Sequence, residues 1–96
     1  MITDLQTLKK IVRQGEGLQL EFKLKTSHPE KIVREVLAFA NTEGGILMIG
    51  ISDDKQIVGA KFPDEDEYIL EKAIREYCSP SIEYEIERIA VAEDSE

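Results

Sequence analysis

Ile46-Leu47-Met48-Ile49-Gly50-Ile51 is the stretch that decides the fold, a nearly unbroken apolar run. A run this short cannot stand as an independent helix and marks a strand covered on both faces. On its C-terminal side, Ser52-Asp53-Asp54-Lys55 has turn chemistry and Gln56-Ile57-Val58-Gly59 reads as a returning strand, so the pair forms a hairpin. Asp53 and Asp54 belong at its tip. On its N-terminal side, Asn41-Thr42-Glu43-Gly44-Gly45 closes a helix whose buried stripe is Ile32, Val33, Val36, Leu37 and Ala40, with Phe39 at the margin. Gly44 or Gly45 is expected to supply a left-handed residue there, and Asn41 or Thr42 to bond the loop internally. These four, with Gly50 in the strand, are assigned to the backbone rather than to chemistry. The helix itself starts at Ser27-His28-Pro29-Glu30, where Ser27 can cap, Pro29 suits the first turn and Glu30 can return a bond.

Further out, Leu18, Leu20, Phe22 and Leu24 alternate with Gln19, Glu21, Lys23 and Lys25, which is a strand with one buried face. Glu21 and Lys23 share the polar side. Before it, Thr3 or Asp4 caps a helix with Leu5, Leu8, Ile11 and Val12 on its apolar side and Lys9, Lys10 and Arg13 elsewhere, ended by Gly15 and Gly17. Beyond the hairpin, Asp64 opens a third helix with Glu67 in a capping box, Ile69, Leu70, Ala73, Ile74 and Tyr77 buried, and a stop at Ser79-Pro80. Ile82, Tyr84 and Ile86 then alternate with Glu83, Glu85 and Glu87 in an amphipathic strand. The predicted fold is α+β, a small mixed sheet with three helices in the order α-β-α-β-β-α-β, the helices covering one face.

The 96 residues suffice for one domain, 1–96, and a hydrophobic fraction of 42% is too high for a disordered chain. No apolar run approaches the ~20 residues of a spanning helix, and the first residues lack the pattern of a signal peptide. A cytoplasmic location without a membrane partner is expected. The single cysteine, Cys78, has no Cys or His companion at metal-ligand spacing and reads as an inert thiol at a helix end. The net charge of −8 speaks against a general nucleic-acid binder, yet its distribution is uneven. Through Glu35 there are seven basic and five acidic residues; the remainder carries five basic and fifteen acidic. An anionic partner must meet Lys9, Lys10, Arg13, Lys23, Lys25, Lys31 and Arg34.

Glu16 with Glu21-Phe22-Lys23, then Ala38-Phe39-Ala40-Asn41-Thr42-Glu43-Gly44-Gly45, then Ile49-Gly50-Ile51-Ser52-Asp53-Asp54 and Ile57-Val58-Gly59 resemble the Schlafen AlbA-like domain. The Ala-Phe-Ala-Asn-Thr-x-Gly-Gly block, followed by Ile-Gly-Ile and an Asp turn, is the specific part; Glu-Phe-Lys alone is weak. The resemblance implies an α+β domain, often N-terminal in bacterial and archaeal proteins described as transcriptional regulators or divergent AAA-type ATPases. Some animal members resemble RNA-cleaving enzymes. It also implies a further strand beyond Val91, so the chain is either a short version or a piece of a larger protein. The edge beside residues 82–89 would then be open to a homodimer partner.

From these observations the leading expectation is a nucleic-acid-binding domain, for DNA or RNA, of a transcriptional-regulator-type protein. Its contacts would be the seven basic residues just named. The enzyme alternative is a Schlafen-type endoribonuclease: the resemblance places Glu16, Glu21 and Asp53 or Asp54 at a divalent-metal cluster, and carboxylates suit Mg²⁺ or Mn²⁺. The bland reading pairs Glu21 with a lysine and leaves the aspartates to shape the turn. A third reading is a protein-interaction module. ATP binding is disfavoured, since Asn41-Thr42-Glu43-Gly44-Gly45 follows a helix, presents carbonyls and lacks Gly-Lys-Ser/Thr. His28 before a proline is no acid–base catalyst, and Tyr68, Tyr77 and Tyr84 are expected at the core edge rather than as stacking platforms.

Overall fold

A computed structural model of the chain describes residues 4–78 and 82–91. Asp4 caps α1 (Leu5–Gln14), its carboxylate accepting the Thr7 backbone N–H at 2.9 Å. Gly15 ends the helix at φ 86, a conformation that costs glycine little. Leu8 and Val12 are the buried stripe of α1. In β1 (Leu20–Lys23) burial alternates, with Leu20 and Phe22 inside and Glu21 and Lys23 half-buried on the other side. The chain crosses over through α2 (Pro29–Ala40) into β2 (Ile46–Ile49), which pairs parallel to β1 with Leu20 opposite Ile46 and Lys23 opposite Ile49. α3 (Pro63–Tyr77) packs against α2.

The α+β class and the three helices are as expected from the sequence, and the sheet is smaller. Among the described residues only β1 and β2 form a ladder. The expected hairpin strand at residues 56–59 is reduced to one antiparallel bridge, Ile51 to Ile57. Its cause is Gly50: at φ 95 it bends the apolar run, and the N–H groups of Val58 and Gly59 both converge on its carbonyl, at 2.8 and 2.9 Å. A ladder spaces its bonds along both strands, and this convergence does not. Residues 82–91 form no strand, because among the described residues no second strand lies hydrogen-bonded beside them.

The helices do not share one face. Leu8 and Val12 of α1 join Leu20, Phe22, Met48 and Ile51 in one core, with Ile89 and Val91 packed against it. On the opposite side of β1, Lys23 meets Glu35 of α2. Val33, Ala73, Ile74 and Cys78 make a second core, joined by Leu37 and Ile82. A buried Thr26 hydroxyl donates to Asp66 at 2.6 Å and so fastens the β1–α2 loop to α3.

Two helix starts differ from the sequence reading in the same way. The N-cap residues are His28 and Phe62, at φ −125, ψ 74 and φ −129, ψ 74, and neither side chain makes a cap bond. Each precedes a proline at the first helical position, which forces the preceding residue out of the helical region whatever its side chain. Ser27 and Asp64 therefore do not cap. Tyr77, expected inside, is 58% exposed at the end of α3; the expected stop at Ser79-Pro80 lies outside the described residues. Among the described residues no helix is long and apolar enough to cross a membrane.

Candidate functional site

Strand alternation sets Glu21 and Lys23 on the polar side of β1, and the crossover lays the middle of α2 over that side. Glu35, half-way along α2, thereby reaches β1. Its carboxylate lies 3.1 Å from the Lys23 ammonium, which is also 3.7 Å from Glu21. Glu16 enters from the other end, accepting the Phe22 backbone N–H at 2.8 Å. Phe22 presents that N–H on the outer edge of β1, beside which no further strand lies among the described residues, so Glu16 covers an open edge.

The electrostatics follow from this crowding. Burial holds the Glu21 carboxyl above its ordinary range, the negative charges of Glu35 and Glu16 raise it further, and Lys23 opposes them. The hydrogen bond to Glu35 is the main cause that keeps Lys23 above the usual lysine value. The second oxygen of Glu35, Oε1, is buried without a hydrogen-bond partner among the described residues. Lys23 is thus the positive charge at the centre of three carboxylates.

Asp53 and Asp54 sit in the turn after Ile51, where the Ser52 hydroxyl donates to Asp54 and accepts the Gln56 N–H at 3.1 Å. Lys55 takes positive φ at the tip, 68°, and its ammonium donates to the Arg13 carbonyl at 3.2 Å. That bond satisfies an open carbonyl at the end of α1 and brings the Lys55 side chain beside Gly15. Among the described residues, no group of three or more His, Cys, Asp or Glu is placed to hold a metal ion. Glu16 and Glu21 are neighbours, but their counter-charge is Lys23 rather than a cation cage, and the geometry does not fit the Mg²⁺ or Mn²⁺ of the nuclease expectation.

The seven basic residues do not form one surface. Lys9, Lys10 and Arg13 are exposed on α1, over one face of the sheet. Lys25 follows β1, and Lys31 and Arg34 stand one helical turn apart on α2, which lies over the other face; all three are exposed. None of these six makes an ion pair with a described residue, whereas Lys23 makes two.

The loop after α2 is structural in its bonding. Gly44 is the left-handed residue, φ 89, and the Thr42 hydroxyl donates to the carbonyls of Ala38 and Phe39, both at 3.1 Å. Asn41 closes the helix through its own N–H on Leu37, 2.9 Å. Gly45 serves differently: a Cβ there would stand 2.5 Å from the Phe39 ring. Tyr68 and Tyr77 are about 60% exposed, at 61% and 58%, while Tyr84, 44% exposed, borders the second core beside Ile74, Cys78 and Ile82.

Glu35 and Lys55 were missed by sequence reasoning. A charged residue bordering the apolar stripe of a crossover helix was the available signal for Glu35; nothing in the pattern pointed Lys55 to α1. No solved structure matches the chain. The family model described as Schlafen, AlbA_2 matches residues 16–95, from Glu16 through both strands, α2 and α3, leaving α1 outside the match. That match spans most of the sequence and takes in Glu16, Glu21, the loop after α2 and the Asp53 turn, and the chain belongs to the Schlafen AlbA_2 family.

Proposed function

We propose that this domain binds nucleic acid, DNA or RNA, through its phosphates and without catalysing a reaction, as the binding part of a transcriptional-regulator-type protein. The carrying observation is that six of the seven basic residues of the first third are exposed and make no ion pair with a described residue. Cations free of internal partners are what phosphate contact requires. Lys23 is spoken for by Glu35 and Glu21 and is left out of the contact set. The cations within the family match, Lys25, Lys31 and Arg34, form the principal set; Lys9, Lys10 and Arg13 extend it on the other side of the sheet.

With about three phosphates engaged on one face, log K should fall with log salt at a slope of roughly −3. A net charge of −8 adds long-range repulsion, so binding is weak and strongly salt-dependent. Titration of labelled single- and double-stranded DNA and RNA, with EDTA and with Mn²⁺, tests the proposal. Binding in EDTA with a steep salt slope supports it. Cleavage that requires Mn²⁺ and disappears in Glu21→Ala would replace it with the endoribonuclease reading.

A further inference from the structure

Residues 82–91 leave α3 without helix, turn or bend and make no backbone–backbone hydrogen bond with any described residue. Among the described residues, side chains hold them. Ile82 packs on the α2–α3 core, and Ile89 and Val91 on the core beneath α1. Between these anchors the Arg88 guanidinium forks onto Asp64 at 2.8 Å and Glu67 at 2.7 Å, at the start of α3. From the level of Ile74 to that of Glu67 and Asp64 is about 10–15 Å of helix at 1.5 Å per residue. The segment spans that distance as an open chain, rising at most ~3.3 Å per residue.

The stretch between the anchors has the chemistry of an unpaired strand. Glu83, Tyr84, Glu85 and Glu87 are exposed and Ile86 is half-buried, so carboxylates recur at every second position beside backbone groups without a protein partner among the described residues. We infer that residues 83–87 are a docking edge for another protein's extended segment, one that alternates Lys or Arg with apolar residues and adds to this edge as a β-strand. Main-chain bonds would supply affinity, and the alternation would supply register and specificity. Opposite charges directly across a strand pair stabilise it, and like charges do the reverse. That rule sets the occupant: in the two-fold antiparallel pairing of two copies centred on Glu85, Glu83 would face Glu87 and Glu85 would face itself. A basic partner relieves what a second copy would aggravate. The edge shares no residue with Lys25, Lys31 and Arg34, so the two activities are tested by different variants.

The test uses the whole chain and a labelled octapeptide of alternating lysine and valine, read by fluorescence anisotropy and by amide hydrogen exchange of residues 83–87. The expected result is binding at least tenfold tighter than that of a glutamate–valine octapeptide, with new protection at the amides of residues 83–87. A proline at the centre of the lysine–valine peptide should abolish both, because it removes a ladder donor without removing charge. Glu83→Lys/Glu85→Lys/Glu87→Lys should invert the preference between the two peptides. The inference is overturned by no binding, by equal binding of the proline peptide, by protection elsewhere, or by self-association of the chain that protects the same amides without peptide.

Discussion

The Lys23 ammonium stands 3.1 Å from a Glu35 oxygen and joins the polar side of β1 to the middle of α2. Both side chains are about 30% exposed, 28% and 31%, so the pair is only moderately screened. Replacing Lys23 by methionine leaves Glu16, Glu21 and Glu35 without their counter-charge, and a loss of about 1 kcal/mol is expected, at the upper end for exposed pairs. Adding Glu35→Leu should return most of it, since the orphaned carboxylate goes as well. Urea denaturation of the single and double variants decides; an equal loss in both would show that Lys23 acts through packing alone.

The pH dependence of Glu21 has a definite sign. Its folded-state carboxyl is raised, with burial the first cause and the neighbouring Glu35 and Glu16 next. The folded chain therefore binds this proton more tightly than the unfolded one, and the resulting stabilisation is present in acid and lost as pH rises through the raised value. Glu21→Gln should be more stable than the parent at neutral pH, and the difference should vanish below the ordinary carboxylate range. Asp4, lowered chiefly by the Thr7 backbone N–H, runs the opposite way. Asp4→Ala should be less stable at neutral pH, with the gap closing as pH falls. Thermal melts across pH 3–7, a window set by ordinary carboxylate values, should show the two differences opposed in sign.

Gly45 and Gly50 should both resist substitution, for different reasons. At Gly45 the obstacle is a side chain, the Phe39 ring, which would lie 2.5 Å from an added methyl carbon, so Gly45→Ala should cost about 1–3 kcal/mol by overpacking. Adding Phe39→Leu should recover part of it. At Gly50 the obstacle is backbone, the Gly59 carbonyl carbon at 2.8 Å, combined with φ 95. No second-site change at a side chain should rescue Gly50→Ala. Urea denaturation of each single variant and of its pair with Phe39→Leu checks both; recovery at Gly50 with Phe39→Leu would mean the two strains are coupled.

The elements with their own periodicity were legible in the sequence. Leu5, Leu8, Ile11 and Val12 announce α1, and Leu20 and Phe22 alternating with Glu21 and Lys23 announce β1, whereas Leu18, 96% exposed, and Leu24, 44% exposed, fall outside the strand and off its buried face. Residues 82–87 carry an equally clear alternation, yet alternation specifies only an extended chain with two faces. Whether it becomes sheet depends on a partner strand elsewhere. The starts of α2 and α3 differ from the capping pattern, unlike the Asp4 cap of α1, because Pro29 and Pro63 settle the backbone before any side chain can. Of the site, Glu21 and Lys23 were legible as neighbours on one polar face; the approach of Glu16 depends on the turn before β1, and that of Glu35 on how the crossover lays α2 over β1. The division of the basic residues between two sheet faces has the same origin.

Nucleic-acid binding through the α2 side is tested most directly by charge reversal with a matched control. Lys25→Glu/Lys31→Glu/Arg34→Glu and Lys61→Glu/Lys72→Glu/Arg75→Glu change the net charge equally, and all six positions are exposed. Anisotropy titrations of a labelled oligonucleotide over a range of salt should show the first variant with weaker binding and a salt slope shallower by roughly 2–3, while the second keeps the parent slope. Equal losses in both variants, or a parent protein that shows no salt-dependent binding, would contradict the proposal.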